Sequence, residues 1–177
     1  MQPSEETANT LAAAKRGSPL GVLFSFIARG LLGISIIVTI GLFIFRGWEA
    51  GTAGLMVVLR QFALILITYS ALIEPIDWVY KNAKYRRVFP GEFMNYGVRF
   101  LNARTANVIL SGWLSALIAF LVYGSMRSAG NLWAPIVAIT ILLIGRPLLM
   151  SGIAVVLEMK LARENPEAFS MLNEVIE

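Results

Sequence analysis

Four long apolar stretches alternate with polar segments along this chain. The clearest is an uncharged run of 22 residues from Thr105 to Met126, followed by an uncharged run of 18 residues from Ser128 to Gly145. A helix needs roughly 20 mostly apolar residues to cross the hydrocarbon core of a bilayer. The pattern therefore predicts an all-α integral membrane protein with four transmembrane helices, at about 30–48, 53–73, 105–126 and 132–157.

The acidic C-terminal segment, residues 158–177, carries a different signal. Asn165-Pro166-Glu167 has the features of a helix start, with an N-capping Asn and a Pro at the first helical position. Phe169, Leu172 and Ile176 then share one helical face. We expect a short amphipathic helix here, which contacts either a partner protein or the chain's own basic loop.

Composition agrees with a membrane protein and removes most catalytic chemistry. Of the 177 residues, 57% are hydrophobic and 15% are charged, whereas soluble domains carry about 25% charged residues. Cysteine and histidine are both absent. Thiolate nucleophiles, histidine bases and Cys/His metal sites are therefore excluded. No phosphate-binding loop or nucleophile elbow occurs, and we predict no enzymatic activity, cofactor or metal.

Basic residues are distributed unevenly between the two sides of the predicted spans. Ten Lys and Arg residues lie in the polar tail 1–19, the basic loop 74–104 and the C-terminal segment, and only Arg46 and Arg127 lie on the other side. Because cytoplasmic loops of membrane proteins are enriched in Lys and Arg, both termini are predicted to be cytoplasmic. We expect the chain to be a multi-pass protein of a bacterial inner membrane.

The basic loop also contains a cluster in which cations alternate with aromatic residues. Its basic members are Lys81, Lys84, Arg86 and Arg87. Such a cluster suits anionic lipid headgroups at the membrane surface, although the topology signal alone would also explain it. The same charge would attract nucleic acid, which we do not expect as a direct ligand.

Two arginines, Arg60 and Arg146, lie inside predicted spans. An arginine at the centre of a transmembrane helix costs about 2.5–3.5 kcal/mol on translocon scales, so each suggests a purpose. The sequence places no carboxylate in the membrane interior beside them, which leaves carbonyls, water, another subunit's acid or a lipid phosphate as partners. An anion path or a lipid-headgroup site would use this positive charge directly. Arg29 is expected to reach the cytoplasmic interface.

The fourth span is predicted to kink at Gly145-Arg146-Pro147, because proline removes a backbone hydrogen bond. Transporters place ligand sites at paired broken helices. When Arg60 is aligned with Arg146, however, the flanking residues do not match, and we find no second copy of the break.

Small residues along the third span predict a surface for close helix packing. They occupy two adjoining rows at helical spacing: Ser111, Gly112, Ser115, Ala116 and Ala119. Small residues let transmembrane helices approach closely. The packing partner is either another helix of the same chain or a helix of a second subunit, and the spacing does not distinguish the two.

These features predict a non-enzymatic structural subunit of a multiprotein membrane assembly, in a homo- or hetero-oligomer that contacts membrane lipids, anionic ones included. A bacterial secretion or conjugative-transfer apparatus is the kind of assembly that holds such subunits. The alternative is a small channel or transporter in which Arg60 and Arg146 line an anion or lipid path.

Overall fold

The computed structural model describes residues 18–86, 94–127 and 132–170, and the described chain is helical throughout. Four long helices, α1 to α4, are followed by a short helix, α5, and a single helical turn at 166–170. Their bounds are Pro19–Arg46 (α1), Trp48–Tyr85 (α2), Met94–Arg127 (α3), Trp133–Leu157 (α4) and Met159–Glu164 (α5). The four long helices are each long and apolar enough to cross a membrane, as predicted.

The helices extend well beyond the predicted spans. α1 begins at Pro19 because Ser18 caps it: the Ser18 hydroxyl accepts a hydrogen bond from the Gly21 N–H at 3.0 Å. α2 continues to Tyr85 and α3 begins at Met94, so most of the segment predicted as a basic loop is helical. A hydropathy pattern reports where charge begins, whereas a helix ends only where its backbone hydrogen bonds end. Of the predicted tail, residues 1–19, the first 17 residues lie outside the described part of the chain.

α3 is the central helix, because it packs against both α2 and α4. The small residues predicted to form a packing surface lie in this interior, and all are buried: Ser111, Gly112, Ser115, Ala116 and Ala119. Opposite them lie Ala63 of α2 and Ala138 of α4, both with no exposed surface. In the structure the surface therefore packs helices of one chain.

Polar groups connect α2, α3 and α4 at the end of the bundle where the C-terminal segment lies. The Glu158 carboxylate, which is almost fully buried, pairs with the Arg104 guanidinium at 2.9 Å and accepts from the Asn107 amide at 3.0 Å. Asn82, on the part of α2 beyond the predicted span, donates to the Thr105 hydroxyl at 2.8 Å. Because buried polar groups are costly when unpaired, these contacts fix how the three helices are placed against one another.

The C-terminal segment docks on the chain itself, against the part of α3 that was predicted as basic loop. This is one of the two alternatives that the sequence left open, the other being a partner protein. The Phe169 ring lies 5.2 Å from the Phe100 ring of α3 in an edge-to-face contact, and the Tyr96 hydroxyl donates to the Leu161 carbonyl at 2.6 Å. Asn165 caps the turn at 166–170, where its side chain accepts from the Ala168 N–H at 3.0 Å. The amphipathic helix is thus present in two short pieces as far as residue 170, and residues 171–177 lie outside the described chain.

The approach of α3 to α2 requires glycine at position 112. A Cβ atom built there would overlap the backbone carbonyl oxygen of Ser70, which no side-chain rotation can move. We expect Gly112→Ala to destabilise the protein by about 1–3 kcal/mol, the usual cost of overpacking. The thermal midpoint in detergent should fall by roughly 2–10 °C. The matched control is Gly124→Ala on the same helix, where a Cβ meets open space, and an equal loss in both variants would contradict the prediction.

Candidate functional site

The most unusual feature of the described bundle is an ion pair between Arg146 of α4 and Glu74 of α2. Both side chains are mostly buried, with 13% and 19% of their surfaces exposed. The Arg146 guanidinium also donates to the Ser70 hydroxyl at 3.3 Å. The expectation that no carboxylate reaches Arg146 is therefore wrong. Glu74 was assigned to the end of the second span, but α2 continues past it and the fold brings it against α4.

Each member of this pair follows a π-helical turn and precedes a proline. In α2 the turn is Tyr69–Ile73 and is followed by Glu74-Pro75, and in α4 the turn is Ile141–Gly145 and is followed by Arg146-Pro147. π-Turns within α-helices are rare and occur frequently at functional sites. The predicted interruption of α4 at Gly145-Arg146-Pro147 thus takes the form of a π-turn directly before Arg146.

The two turns also correspond in sequence, contrary to our expectation that the break has no second copy. Ile67-Thr68 precedes the turn in α2 and Ile139-Thr140 precedes it in α4, and in both cases five residues and a charged residue then lead to proline. Aligning the two arginines concealed this match, because the counterpart of Arg146 is the acidic Glu74. The signal that could have revealed it was the pair of charged-residue–Pro dipeptides inside apolar helices.

The backbone carbonyls released by Pro75 are covered by α3. Proline has no N–H, so the Ala71 carbonyl loses its usual donor, and it accepts instead from the Trp113 indole N–H at 2.7 Å. The N–H of Glu74 donates to the Tyr69 carbonyl, five residues before it. The Ser70 carbonyl, which would accept this N–H in a regular α-helix, lies against Gly112 of α3. Helix interruptions at membrane depth are tolerated where protein covers the freed groups. α3 supplies that cover in this chain.

Arg60 lies apart from the ion pair. It is 14 residues before Glu74 on α2, which corresponds to about 20 Å along the helix axis. Its side chain is partly exposed and forms no ion pair or hydrogen bond with a residue in the described part of the chain. The structure therefore does not bring Arg60 and Arg146 together, and the positive charge of Arg146 is balanced by Glu74.

The predicted membrane-surface cluster lies at the end of α2, where aromatic rings and amides hold its cations. The Lys81 ammonium lies 5.7 Å from the centre of the Trp78 ring, and the Lys84 ammonium lies 4.3 Å from that of Tyr80. The Arg86 guanidinium donates to the side chains of Asn82 and Asn102 at 2.8 and 2.6 Å. Arg87 lies outside the described residues. The three described cations share one helix end, and their binding to lipid stays a prediction.

The described residues contain no group of three or more His, Cys, Asp or Glu side chains that could hold a metal ion. No known family model, no curated protein and no solved structure matches this chain. The ion pair between the two π-turns is thus the candidate site. It can couple α2 to α4 electrostatically, and it occupies the place where both helices are interrupted.

Removing one member of the pair should be far more harmful than removing both. Arg146→Met or Glu74→Gln leaves a buried group unpaired, which costs about 3–5 kcal/mol, so the thermal midpoint should fall on the order of 10 °C. The double variant should recover most of this loss. The measurement is thermal unfolding of all three variants in detergent.

The control for this experiment is Arg60→Met, which removes an arginine from an apolar helix without breaking an ion pair among the described residues. It should change the midpoint by a degree or two. Additive losses in the double variant would contradict the pairing, since independent side chains give additive changes in the free energy of unfolding.

Proposed function

We propose that this protein is a non-enzymatic structural subunit of a multiprotein membrane assembly, and that α1 is the helix that contacts other subunits. The observation that carries the proposal is that α1 packs mainly on one helix of the described chain and leaves most of its surface exposed. Only Ala28 and Thr39 are buried among its 28 residues, and its packing within the described chain is mainly against α2. α2, α3 and α4 are by contrast joined by the ion pairs and the buried amides.

The exposed side of α1 has the shape that a neighbouring transmembrane helix requires. Gly30, Gly33 and Gly41 each face open space, because a Cβ built on any of them meets nothing within 4 Å. Gly30 and Gly41 lie eleven residues apart and therefore about 20° from each other around the helix, and Gly33 lies within about 80° of both. Glycines on an uncovered face allow a second helix to approach closely, which is how helices associate in lipid.

The interior of the bundle supports a structural role over conduction. Ser111, Ser115, Ala119 and Ala138 have no exposed surface, so small side chains fill the space between α3 and its neighbours. Arg146 is neutralised by Glu74 and does not present free positive charge to an anion. A bacterial secretion or conjugative-transfer apparatus is the setting we propose, because such machines contain small membrane subunits without catalytic residues. The placement is made by analogy with those subunits.

The experiment compares glycine-to-leucine variants on α1 with matched variants on other helices. Gly33→Leu and Gly41→Leu should leave the chain folded, since both positions are open, but should block a partner helix. The controls are Gly124→Leu on α3 and Gly152→Leu on α4, which face equally open space. Membranes containing each variant at native abundance are solubilised in mild detergent, and the mass of the complex is measured.

We expect the wild-type and control chains to run as a stoichiometric complex and the α1 variants to run as monomers with unchanged thermal midpoints. A wild-type chain that is monomeric in its native membrane would overturn the proposal. Complexes that survive all four substitutions would show that α1 is not the contact.

A second candidate function, a small channel or transporter, is favoured by the paired π-turns. Interrupted helices at corresponding positions mark the binding sites of transporters, and opening such a path here would require Glu74 and Arg146 to separate. Purified protein in liposomes should then carry anions, and the double variant Glu74→Gln/Arg146→Met should lose at least about tenfold in flux while it stays folded. Arg60→Met should keep its flux. Liposomes no more permeable than protein-free ones would dismiss this candidate.

A further inference from the structure

A groove of about 390 Å³ lies between the start of α1 and the part of α2 beyond its π-turn. It is lined by Gly21, Val22, Ser25, Phe26, Arg29 and Asp77. The groove contains one cation and one anion, and they belong to different helices. We propose that it binds the headgroup of a zwitterionic aminophospholipid, such as phosphatidylethanolamine, from the leaflet that faces this end of the bundle.

The cation of the groove has no ion-pair partner among the described residues. Arg29 is exposed on α1 and forms no ion pair or hydrogen bond with a residue that the structure describes. It lies ten residues after Pro19, which places its backbone about 15 Å along the helix. Side chains on a helix point back toward its N-terminus, and an arginine in lipid extends toward the interface. Arg29 lines the groove with Ser25 and Val22, which lie four and seven residues before it on the same side of α1.

The anion of the groove lies nearer the interface. The Asp77 carboxylate accepts a hydrogen bond from the Ser18 N–H at 2.7 Å through one oxygen, Oδ1. It lies so close to Gly21 that a Cβ there would be 2.7 Å from the same oxygen. Glycine at position 21 thus leaves room for the carboxylate at the mouth of the groove. The second oxygen, Oδ2, accepts no hydrogen bond from a residue that the structure describes, and in the proposal it is the acceptor for an incoming donor.

The order of these charges matches the order of charges in an aminophospholipid. In a leaflet the phosphate lies next to the acyl chains and the ammonium lies farther out, toward water. Arg29 is the deeper group and suits the phosphate, and Asp77 is the outer group and suits a primary ammonium, whose N–H groups can donate to Oδ2. Val22 and Phe26 expose most of their side chains beside the groove, where acyl chains would pack.

Asp77 also argues against a purely anionic lipid. A phosphatidylglycerol headgroup would meet the arginine through the same phosphate, but it would offer the Asp77 carboxylate only neutral hydroxyl donors, which bind a carboxylate more weakly than an ammonium does. A phosphatidylcholine headgroup carries positive charge but has no N–H to donate. The groove is therefore expected to rank ethanolamine above both choline and glycerol headgroups.

The test is native mass spectrometry of the full-length protein after exchange into micelles with equal amounts of phosphatidylethanolamine, phosphatidylcholine and phosphatidylglycerol. We expect a roughly fivefold excess of bound ethanolamine lipid over glycerol lipid, the ratio that corresponds to about 1 kcal/mol. Equal retention of the three lipids, or preference for the glycerol lipid, would overturn the proposal. This measurement needs only the wild-type chain.

Two variants test whether Arg29 binds the phosphate and whether Asp77 binds the ammonium. Arg29→Gln should lower retention of all three lipids about fivefold, because each of them carries the phosphate. Asp77→Asn should keep the hydrogen bond from Ser18 but bring the ethanolamine-to-glycerol ratio to about one, a change in selectivity that loss of structure would not produce. An unchanged ratio in Asp77→Asn would overturn the role of the carboxylate.

Matched controls are Arg60→Gln, an arginine elsewhere in an apolar helix, and Lys160→Gln, an exposed cation at the same end of the bundle. Both should retain lipid as the wild type does. Equal losses in a control and in Arg29→Gln would attribute the retention to general positive charge and would overturn the assigned site.

Discussion

A buried arginine inside a membrane protein is costly unless it is paired, and in this chain the contact of Arg146 with Glu74 is the interaction on which the arrangement of α2 and α4 depends. Both helices are interrupted by a π-turn and a proline at the level of the pair. Each interruption weakens the backbone hydrogen bonding of its own helix. The ion pair places the two weak points side by side, so that each charge compensates the other.

α3 makes this arrangement possible because it presents glycine and an indole N–H to the interrupted part of α2. Gly112 admits the Ser70 carbonyl and Trp113 donates to the Ala71 carbonyl. Farther along the bundle, Glu158 is held by Arg104 and Asn107. α2, α3 and α4 are thus joined by ion pairs and buried polar contacts at successive levels. α1 is joined to α2 by close packing at Gly51 and Gly54 and by two hydrogen bonds, from the Ser35 hydroxyl to Gln61 and from the Ser18 N–H to Asp77. This difference supports the separate roles proposed for the two parts.

The existence of four apolar helices could be predicted because hydropathy is a local property of about 20 residues. The helix bounds could not, since Ser18 begins α1 within a segment assigned to the tail and Asn82 is paired within a segment assigned to a loop. Ser111 and Ala119 lie buried in the rows of small residues that the spacing indicated, but the spacing left open which helices they meet. The partner of Arg146 was missed because Glu74 lies 72 residues away and because the comparison sought a second arginine.

The sequence by itself determined that the chain is built from long apolar helices and which residues carry the scarce charge. Hydrophobicity and helical periodicity are properties of neighbouring residues, so they can be read along the chain. Only the tertiary structure decided that Arg146 meets Glu74, that Arg60 stays apart, and that Arg29 and Asp77 line one groove. Charge interactions depend on distance in space and on burial, and neither quantity exists until the helices have packed.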